Sequence, residues 1–380
     1  MLYFPMQFRE AIVMTAIVWV VKLSPSGGLL QHQRKQIKYY GLSIGKGDKY
    51  DFSEDELEEF EKRYKNKEIA EDCRSQKIIA IGWTVRPEDS WKRNPKIELN
   101  KDEYLRLFHN HELYKDHQRW EKEVCDFLKI NKGDLCWVRD SSDNYYICQI
   151  TSDWKYEMSK KAWALDIAQR YETSEWVKVG DASKVPGEIV KRLITRGSTV
   201  YRIDNNLLAE MTKYLFENGG ENAIDNAIKE YDSNAEYYQQ EIKVDDLVKN
   251  LTEYDYEDLV GFYLQSQGWF IMPATRFQST KDYEFVAIDK SGNRAVVQVK
   301  HQDGKLLAKD HVKRSKTYKV FLACSNGVDW RGIDKNNSNI EEIDNEKLLE
   351  FLKENNELIP GRIKFSIIFN KIRTSNAKTN

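Results

Sequence analysis

The feature that most constrains the fold is a long interval without proline, between Pro186 and Pro273, in which the chain becomes helical and acidic. Over residues 217–258, thirteen acidic side chains stand against three lysines, a local balance of −10. A helical pattern uninterrupted by proline predicts an arm between two halves, and 380 residues are too many for one ordinary domain. The predicted divisions are a first domain at 1–204, an acidic helical linker or dimerisation arm at 205–245, and a second domain at 246–380.

The composition and the apolar runs exclude several classes of protein. Hydrophobic residues make up 41% of the chain and aromatic residues 12%, which is too apolar for a disordered protein. The run Ala11–Leu23 is too short for a membrane helix, and Glu10 in front of it argues against a secretory signal. We therefore expect a buried strand at 15–23. Five scattered cysteines without a CxxC pair indicate reduced thiols and a cytoplasmic protein without a membrane segment.

The first half reads as a small, curved and mostly β domain with a few helices. Apolar runs separated by polar turns favour strands at 77–85, 135–139, 145–151 and 175–179. A capping box formed by Ser53 and Glu56 predicts a helix near 54–67, and apolar spacing predicts another near 116–129.

From about residue 245, helix and strand alternate. Thr252 and Asp255 are spaced as a capping box for a helix that ends at Gly268. The elements expected after it are strands at 282–288 and 294–300, a helix near 304–313, a strand at 318–324, a helix near 344–355 and a strand near 363–369. This order is typical of an α/β sheet domain.

Polar side chains stand at the ends of two of these strands. Asp282 begins the first, while Gln298 and Lys300 end its neighbour and share one face, because side chains alternate along a strand. Glu257 lies on the edge of the apolar stripe of the preceding helix. An acid, an amide and an amine that converge suit metal-assisted hydrolysis of a phosphodiester. Taken singly, however, Lys and Gln are ordinary surface residues of a strand, and Asp282 could cap a turn.

Mg²⁺ is the expected cofactor, because it prefers hard oxygen ligands. The candidate ligands are Asp282, the side-chain carbonyl of Gln298, the main-chain carbonyl of Val299, and Glu257. Lys300 would orient or deprotonate the attacking water and hold the phosphate. Glu284 lies two residues beyond Asp282 on the same strand face and could share or replace its role.

In their order and spacing these residues resemble the PD-(D/E)xK nuclease fold, and more narrowly the Mrr-like restriction endonucleases. The segments that carry the resemblance are Tyr256-Glu257-Asp258-Leu259-Val260, Gln267-Gly268-Trp269, Asp282 and Gln298-Val299-Lys300, within about 245–330. The resemblance implies an α/β/α sheet domain that cleaves DNA with Mg²⁺. Two departures stand out: Thr280-Lys281 replaces a frequent glycine pair, and Gln298 replaces Glu. The family includes active members with Gln, but one carboxylate fewer gives Glu257 more importance.

The first half is rich in tryptophan. Segments that resemble PUA-like domains of the EVE type are Ala80-Ile81-Gly82-Trp83, Gly133-Asp134-Leu135-Cys136-Trp137-Val138 and Tyr145-Tyr146-Ile147-Cys148-Gln149-Ile150. The resemblance implies a β-barrel with a pocket for a flipped, often modified base, whose lost stacking aromatic walls would replace. Trp83 and Trp154 are the candidate walls, and Asp134 or Ser152 could add polar specificity. Core packing is the alternative for each Trp.

The net charge of −2 does not exclude DNA, because the charges are unevenly distributed. Residues 294–319 hold eight Lys or Arg against two acids, a local balance of +6. Lys305, Lys309 and Lys313 are candidates for phosphate contacts that weaken with salt. His301 and His311 are expected on the same basic surface.

A second histidine group, His109, His111 and His117, occurs near a polar helix end. An HxH pair with a third His can bind Zn²⁺, but no Cys or further ligand pattern supports a site there.

Together these features predict a modification-dependent endonuclease that acts on double-stranded DNA carrying modified bases. Cleavage of both strands requires two active sites, so a homodimer or larger homo-oligomer is expected, with the 205–245 arm as a possible contact. One alternative is a repair or structure-specific nuclease of the same fold, with the barrel as a clamp. Another is a non-catalytic nucleic-acid-binding protein, including an RNA binder.

Overall fold

The computed structural model describes residues 17–23, 68–83, 99–111, 118–157, 167–195, 198–275, 283–302, 304–335 and 339–377, with a few isolated positions between them. The chain divides into two compact units. The first comprises residues 1–177 and 196–217, and the second comprises 178–195 and 218–380. Within the described residues, none of the helices combines the length and apolarity that crossing a membrane demands.

The elements alternate along the chain in a mixed α/β pattern. The strands are β1 (Val18–Val21), β2 (Ile78–Ile81), β3 (Leu135–Arg139), β4 (Tyr145–Gln149), β5 (Lys155–Tyr156), β6 (Gln169–Glu172), β7 (Val177–Gly180), β8 (Val200–Ile203), β9 (Trp269–Ile271), β10 (Phe285–Asp289), β11 (Arg294–Lys300), β12 (Leu306–Leu307), β13 (Lys319–Cys324), β14 (Val328–Asp329) and β15 (Ile340–Ile343). The helices are α1 (Ile69–Ser75), α2 (Lys101–Asn110), α3 (Gln118–Leu128), α4 (Gly187–Ile194), α5 (Asn206–Glu217), α6 (Glu221–Ser233), α7 (Ala235–Glu241), α8 (Val244–Asn250), α9 (Glu253–Ser266), α10 (Val312–Ser315), α11 (Asn345–Glu354) and α12 (Gly361–Ala377). Short 3₁₀ turns occur at Pro273–Thr275, Ala308–His311 and Asn356–Leu358.

The first unit is built on two sheets. The larger runs in the order β7-β4-β3-β1-β8, and the division between the units falls within its edge strand β7, after Val177. The smaller has the order β2-β6-β5. In the described residues neither sheet closes on itself, so the expected class of mixed α/β structure is present and a closed barrel is not found.

The local patterns of the first half predicted five of its described strands, β1, β2, β3, β4 and β7, and missed β5, β6 and β8. The strands expected at 135–139 and 145–151 are β3 and β4, which pair antiparallel as a hairpin. Its polar turn is organised by Asp140, whose carboxylate accepts hydrogen bonds from the backbone N–H groups of Ser142 and Asn144. Most of the helix expected near 54–67 lies outside the described residues, whereas the one near 116–129 is α3.

The second unit contains the expected hairpin in a five-stranded sheet of order β15-β13-β11-β10-β9. Strands β9, β10 and β11 are antiparallel neighbours, while β11, β13 and β15 run parallel. Helix α9 begins at Thr252, whose hydroxyl accepts from the Asp255 N–H, and ends before Gly268 with its φ of +84°. The Asp255 carboxylate accepts from the Thr252 hydroxyl rather than from its backbone, so only half of the predicted capping box forms.

Two element predictions in this unit were wrong. The strand expected near 363–369 is part of α12, which packs against α6 and buries Phe365, Ile367 and Ile368. A run of β-branched and aromatic residues resembles a strand locally, and burial on several sides allows it to be a helix instead. The helix expected near 304–313 is replaced by β12, a 3₁₀ turn and the short α10.

The acidic segment predicted as a linker is divided between the units. Helix α5 belongs to the first unit, where Thr212 accepts a hydrogen bond from the Trp137 indole at 2.9 Å. Helices α6 and α7 belong to the second unit, and α6 lies against α12. A role of this segment in dimerisation stays a prediction.

Candidate active site

The candidate site lies where β10 begins and β11 ends. The Gln298 amide donates to Glu284 Oε1 at 2.9 Å, and the Lys300 ammonium donates to the same oxygen at 3.2 Å. Glu284 is held in place by its own N–H, which donates to the Val297 carbonyl at 2.8 Å. The structure therefore places Gln298 and Lys300 on one face, as strand alternation predicts, and gives them a shared carboxylate.

Asp282, the predicted acid of this cluster, lies outside the described residues, as do Thr280 and Lys281. Glu284, named from the sequence as its possible substitute, is the carboxylate that the described structure brings to Lys300. The role of Asp282 stays a prediction, and Glu284 is the carboxylate that the described residues show beside Gln298 and Lys300.

The side chain of Gln298 has the features of a potential metal ligand. It is only 2% exposed, and its Oε1 has no hydrogen-bond partner in the part of the chain that is described. A buried polar atom of this kind usually contacts water or an ion. The amide nitrogen is engaged by Glu284 and lies 3.4 Å from the Val299 carbonyl, so Oε1 is left as a hard oxygen donor on the other arm of the amide group.

The donors present fit Mg²⁺ better than a softer metal. The set consists of carboxylate, amide and main-chain oxygens, which are the ligands that Mg²⁺ takes. Among the described residues no three His, Cys, Asp or Glu side chains come together as a metal site. A magnesium site here would therefore need the Gln298 and Val299 oxygens beside Glu284 and Glu257, with Asp282 as the further predicted ligand. The Gln298 amide would have to turn its oxygen to the side that its nitrogen occupies in this structure.

Glu257 adds a second carboxyl group to the cluster. It lies half-buried on α9, and burial raises its pKa to about 7, helped by the negative charges of Glu284 and Glu253. The positive charges of Lys191 and Lys300 act in the opposite direction. Near neutral pH this carboxyl can therefore exist in both the protonated and the ionised form, which a group that exchanges protons with water requires.

The chain folds tightly back over Lys300 after β11. The Lys300 carbonyl accepts from the Ser325 N–H at 3.0 Å, and the Ser325 hydroxyl accepts from the Gln302 N–H at 2.8 Å. Gly304 then passes so close that a Cβ at this position would lie 2.8 Å from Lys300 Cβ and 3.2 Å from Lys300 Cδ. The stem of Lys300 is thus confined between this turn and Glu284.

If the cluster hydrolyses DNA, as the sequence predicts, the substitution Gly304→Ala is expected to displace the Lys300 stem and to slow cleavage by on the order of 10–100-fold, since small misplacements of a catalytic group are costly. The duplex affinity and the melting temperature should change little. Single-turnover rates and binding isotherms of the two proteins would check this. A Gly304→Ala protein that cleaves at the wild-type rate would show that the confinement has no catalytic role.

The lysines predicted to contact phosphates are exposed. Lys305 precedes β12, Lys309 lies in the following 3₁₀ turn, and Lys313 lies on α10. The same prediction for His301 and His311 was wrong, because both are buried. His301 stacks on Tyr256 with ring centroids 4.7 Å apart, and burial lowers its pKa.

The candidate base walls of the first unit are both close to Tyr104. Trp154 is 8% exposed, its ring centroid lies 5.5 Å from that of Tyr104, and its indole N–H has no partner within the described ranges. Trp83 is half-buried and has a φ of +64°, and its carbonyl accepts from the Tyr104 hydroxyl at 2.8 Å. An aromatic residue held in the left-handed region is uncommon and often occurs at functional sites.

Gln169 belongs to the same group and was not singled out in the sequence. Its amide nitrogen donates to the Gly82 carbonyl at 2.8 Å and to the Tyr104 hydroxyl at 2.6 Å. Because the Gly82 carbonyl only accepts, this orientation is fixed, and Oε1 remains a fully buried acceptor that no described residue satisfies. The available signal was a polar residue at an inward position of β6, two residues before the buried Tyr171.

The two polar residues predicted to add specificity for the base, Asp134 and Ser152, form hydrogen bonds elsewhere in the first unit. Asp134 accepts from the Trp19 indole at 2.9 Å and from the Asn131 N–H at 2.9 Å. Ser152 accepts from the Glu172 N–H at 2.9 Å and donates to the Asp153 carbonyl. Both side chains therefore hold turns of the first unit together.

The histidines weighed as a zinc site do not form one in the described structure. His109 lies 3.1 Å from a Glu121 oxygen, His111 is buried at the end of α2, and His117 is outside the described residues.

The chain is thus a mixed α/β protein. A carboxylate, an amide and a lysine come together where β10 begins and β11 ends. Comparison with family models, curated proteins and solved structures finds no match to the chain. The functional argument therefore rests on the residues of the chain itself.

Proposed function

We propose that this chain is a Mg²⁺-dependent DNA endonuclease of the PD-(D/E)xK, Mrr-like kind. The observation that carries the proposal is the convergence of Gln298 and Lys300 on Glu284, at 2.9 and 3.2 Å, with the Glu257 carboxyl in the same electrostatic environment. An acid, an amine and an amide oxygen without a hydrogen-bond partner among the described residues, all in one place, suit phosphodiester hydrolysis.

Each side chain of the cluster has its own role in the proposed reaction. Bound Mg²⁺, held by Glu284, Gln298 and Glu257 with Asp282, would supply Lewis-acid polarisation of the phosphate and a more acidic water. Lys300 presents its charge to a phosphate oxygen, and its hydrogen bond to Glu284 fixes the direction of that charge. Glu257 would complete the metal shell or position the attacking water.

The proposal assigns the first unit the role of a base reader of the PUA-like, EVE type. Its support is the pair of buried unsatisfied atoms, the Trp154 indole N–H and Gln169 Oε1, grouped around Tyr104. Nucleobase edges carry adjacent donors and acceptors, and an extruded base gains stacking from aromatic side chains. Trp83 and Trp154 would provide the walls. The substrate is then double-stranded DNA with modified bases, cut in the cytoplasm by a homodimer or larger assembly.

The experiment that tests this function compares plain and cytosine-modified duplexes of the same sequence. We expect cleavage of the modified duplex in Mg²⁺ and none in excess EDTA, because the proposed ligands are hard oxygens that supply no Lewis acid of their own. Gel analysis of end-labelled strands gives the products.

Other outcomes separate the alternatives. Equal cleavage of both duplexes would remove the reader and leave a structure-specific or repair nuclease. Binding without cleavage, under all divalent cations tried, would indicate a non-catalytic nucleic-acid-binding protein. Preferential binding of RNA would point to the first unit as its RNA-binding part.

A further inference from the structure

A second lysine, Lys191, stands over the Tyr254 ring of α9, three residues before Glu257. Its charge and that of Lys300 both act to lower the pKa of Glu257, against the effect of burial. Lys191 belongs to α4, whose segment 178–195 is part of the second unit, although the residues on both sides of it along the chain fall in the first. The predicted site motif did not include this helix.

The position of α4 is fixed by a close approach to α9. The Gly187 N–H donates to Asp255 Oδ1 at 3.2 Å. A Cβ at Gly187 would lie 2.8 Å from that oxygen and 3.0 Å from the Cβ of Tyr254, so a larger residue would push the two helices apart. Arg362 holds the preceding turn, since its guanidinium donates to the Ala182 carbonyl at 3.2 Å. Helix α4 therefore starts directly against the first turn of α9.

Lys191 follows Gly187 by one helical turn and so shares its face. Its ammonium lies 5.3 Å from the centroid of the Tyr254 ring, a cation–π distance. Glu257 stands three residues after Tyr254 and is its neighbour on the surface of α9. The ring thus holds a half-buried lysine beside the part of α9 that carries Glu257.

We propose that Lys191 contacts a DNA phosphate adjacent to the one being cleaved, so that the site extends from β11 onto α4. The positive charges of Lys191 on α4 and Lys300 on β11 both act on Glu257. A DNA strand carries one negative charge per nucleotide, so neighbouring phosphates can use both lysines. Lysine binds phosphate as a point charge without demanding a fixed geometry. This inference rests on the proposed nuclease function.

The test is the salt dependence of binding to the intact duplex that the wild type cleaves, measured without divalent cations so that no cleavage occurs. Lys191→Ala should lower the slope of log Kobs against log[salt] by about 0.9, the value of one phosphate contact. Lys191→Arg should keep the wild-type slope. Lys178→Ala is the matched control: it removes an exposed lysine of the same segment, paired with Glu221 at 3.5 Å, and should bind and cleave as the wild type does.

The outcomes distinguish a failure of the Lys191 inference from a failure of the proposed nuclease function. A wild-type protein that cleaves, together with a Lys191→Ala variant of unchanged slope, overturns the phosphate contact and leaves the nuclease in place. An unchanged slope with slower cleavage also overturns it, since Lys191 would then act only as a counter-ion of Glu257. A wild-type protein that neither binds nor cleaves duplex DNA overturns both proposals.

Discussion

Replacing Lys300 by alanine is expected to lower the rate of DNA cleavage by at least about 100-fold while duplex binding stays within a few-fold of wild type. Positioned proton-transfer groups and preorganised charges each contribute on the order of 10²–10⁴ in rate. In this site the hydrogen bond to Glu284 fixes the direction of the Lys300 ammonium. One lysine among several basic residues contributes much less to affinity. Single-turnover kinetics at saturating enzyme separate the two effects.

The control for this variant is Lys290→Ala, which removes an exposed lysine from the turn at the other end of the same hairpin. It should leave cleavage unchanged. If Lys300→Ala, folded by its melting curve, cleaves at the wild-type rate, the assignment of the site to Glu284, Gln298 and Lys300 is wrong. If both variants lose activity together, the hairpin matters structurally and Lys300 has no special role.

Local sequence patterns could predict the part of the site that lies on one hairpin. Alternation along β11 places Gln298 and Lys300 on one face, and the turn at 290–293 fixes which residues of β10 oppose them. The register Phe285↔Val297 brings Glu284 to Gln298 and needs no distant contact. Such features follow from neighbouring residues, which is why they could be inferred.

The misses share a dependence on contacts between distant parts of the chain. His301 sits in a basic segment, which favours exposure, but its ring is buried because Leu251 and Tyr256 of the α9 region cover it. The residues near 363–369 look like a strand until α6 is placed against them. The approach of Lys191 to Tyr254 likewise requires α4 to meet α9, which no local pattern encodes.

Arg362, at the start of α12, bonds both to α9 and to the turn before α4. Its replacement therefore tests how much this contact contributes to the free energy of unfolding. Its Nε donates to Asp255 at 2.6 Å, it also pairs with Asp258, and its own N–H donates to the Ser183 carbonyl at 3.0 Å. Asp255 is fully buried. We expect Arg362→Met to destabilise the protein by about 3–5 kcal/mol, because it leaves buried carboxylates without their cation.

Urea unfolding, followed by intrinsic fluorescence and by circular dichroism, measures this loss as a lower transition midpoint. Arg331→Met is the matched control: Arg331 is 91% exposed and pairs with Asp329, so its loss should leave the transition midpoint close to that of the wild type. A variant carrying Arg362→Met with Asp255→Asn should recover part of the stability, since the unpaired buried charge is then removed. A single Arg362→Met variant as stable as the control would mean that water or a rearranged neighbour compensates Asp255, and that the seat of α4 on α9 does not depend on this ion pair.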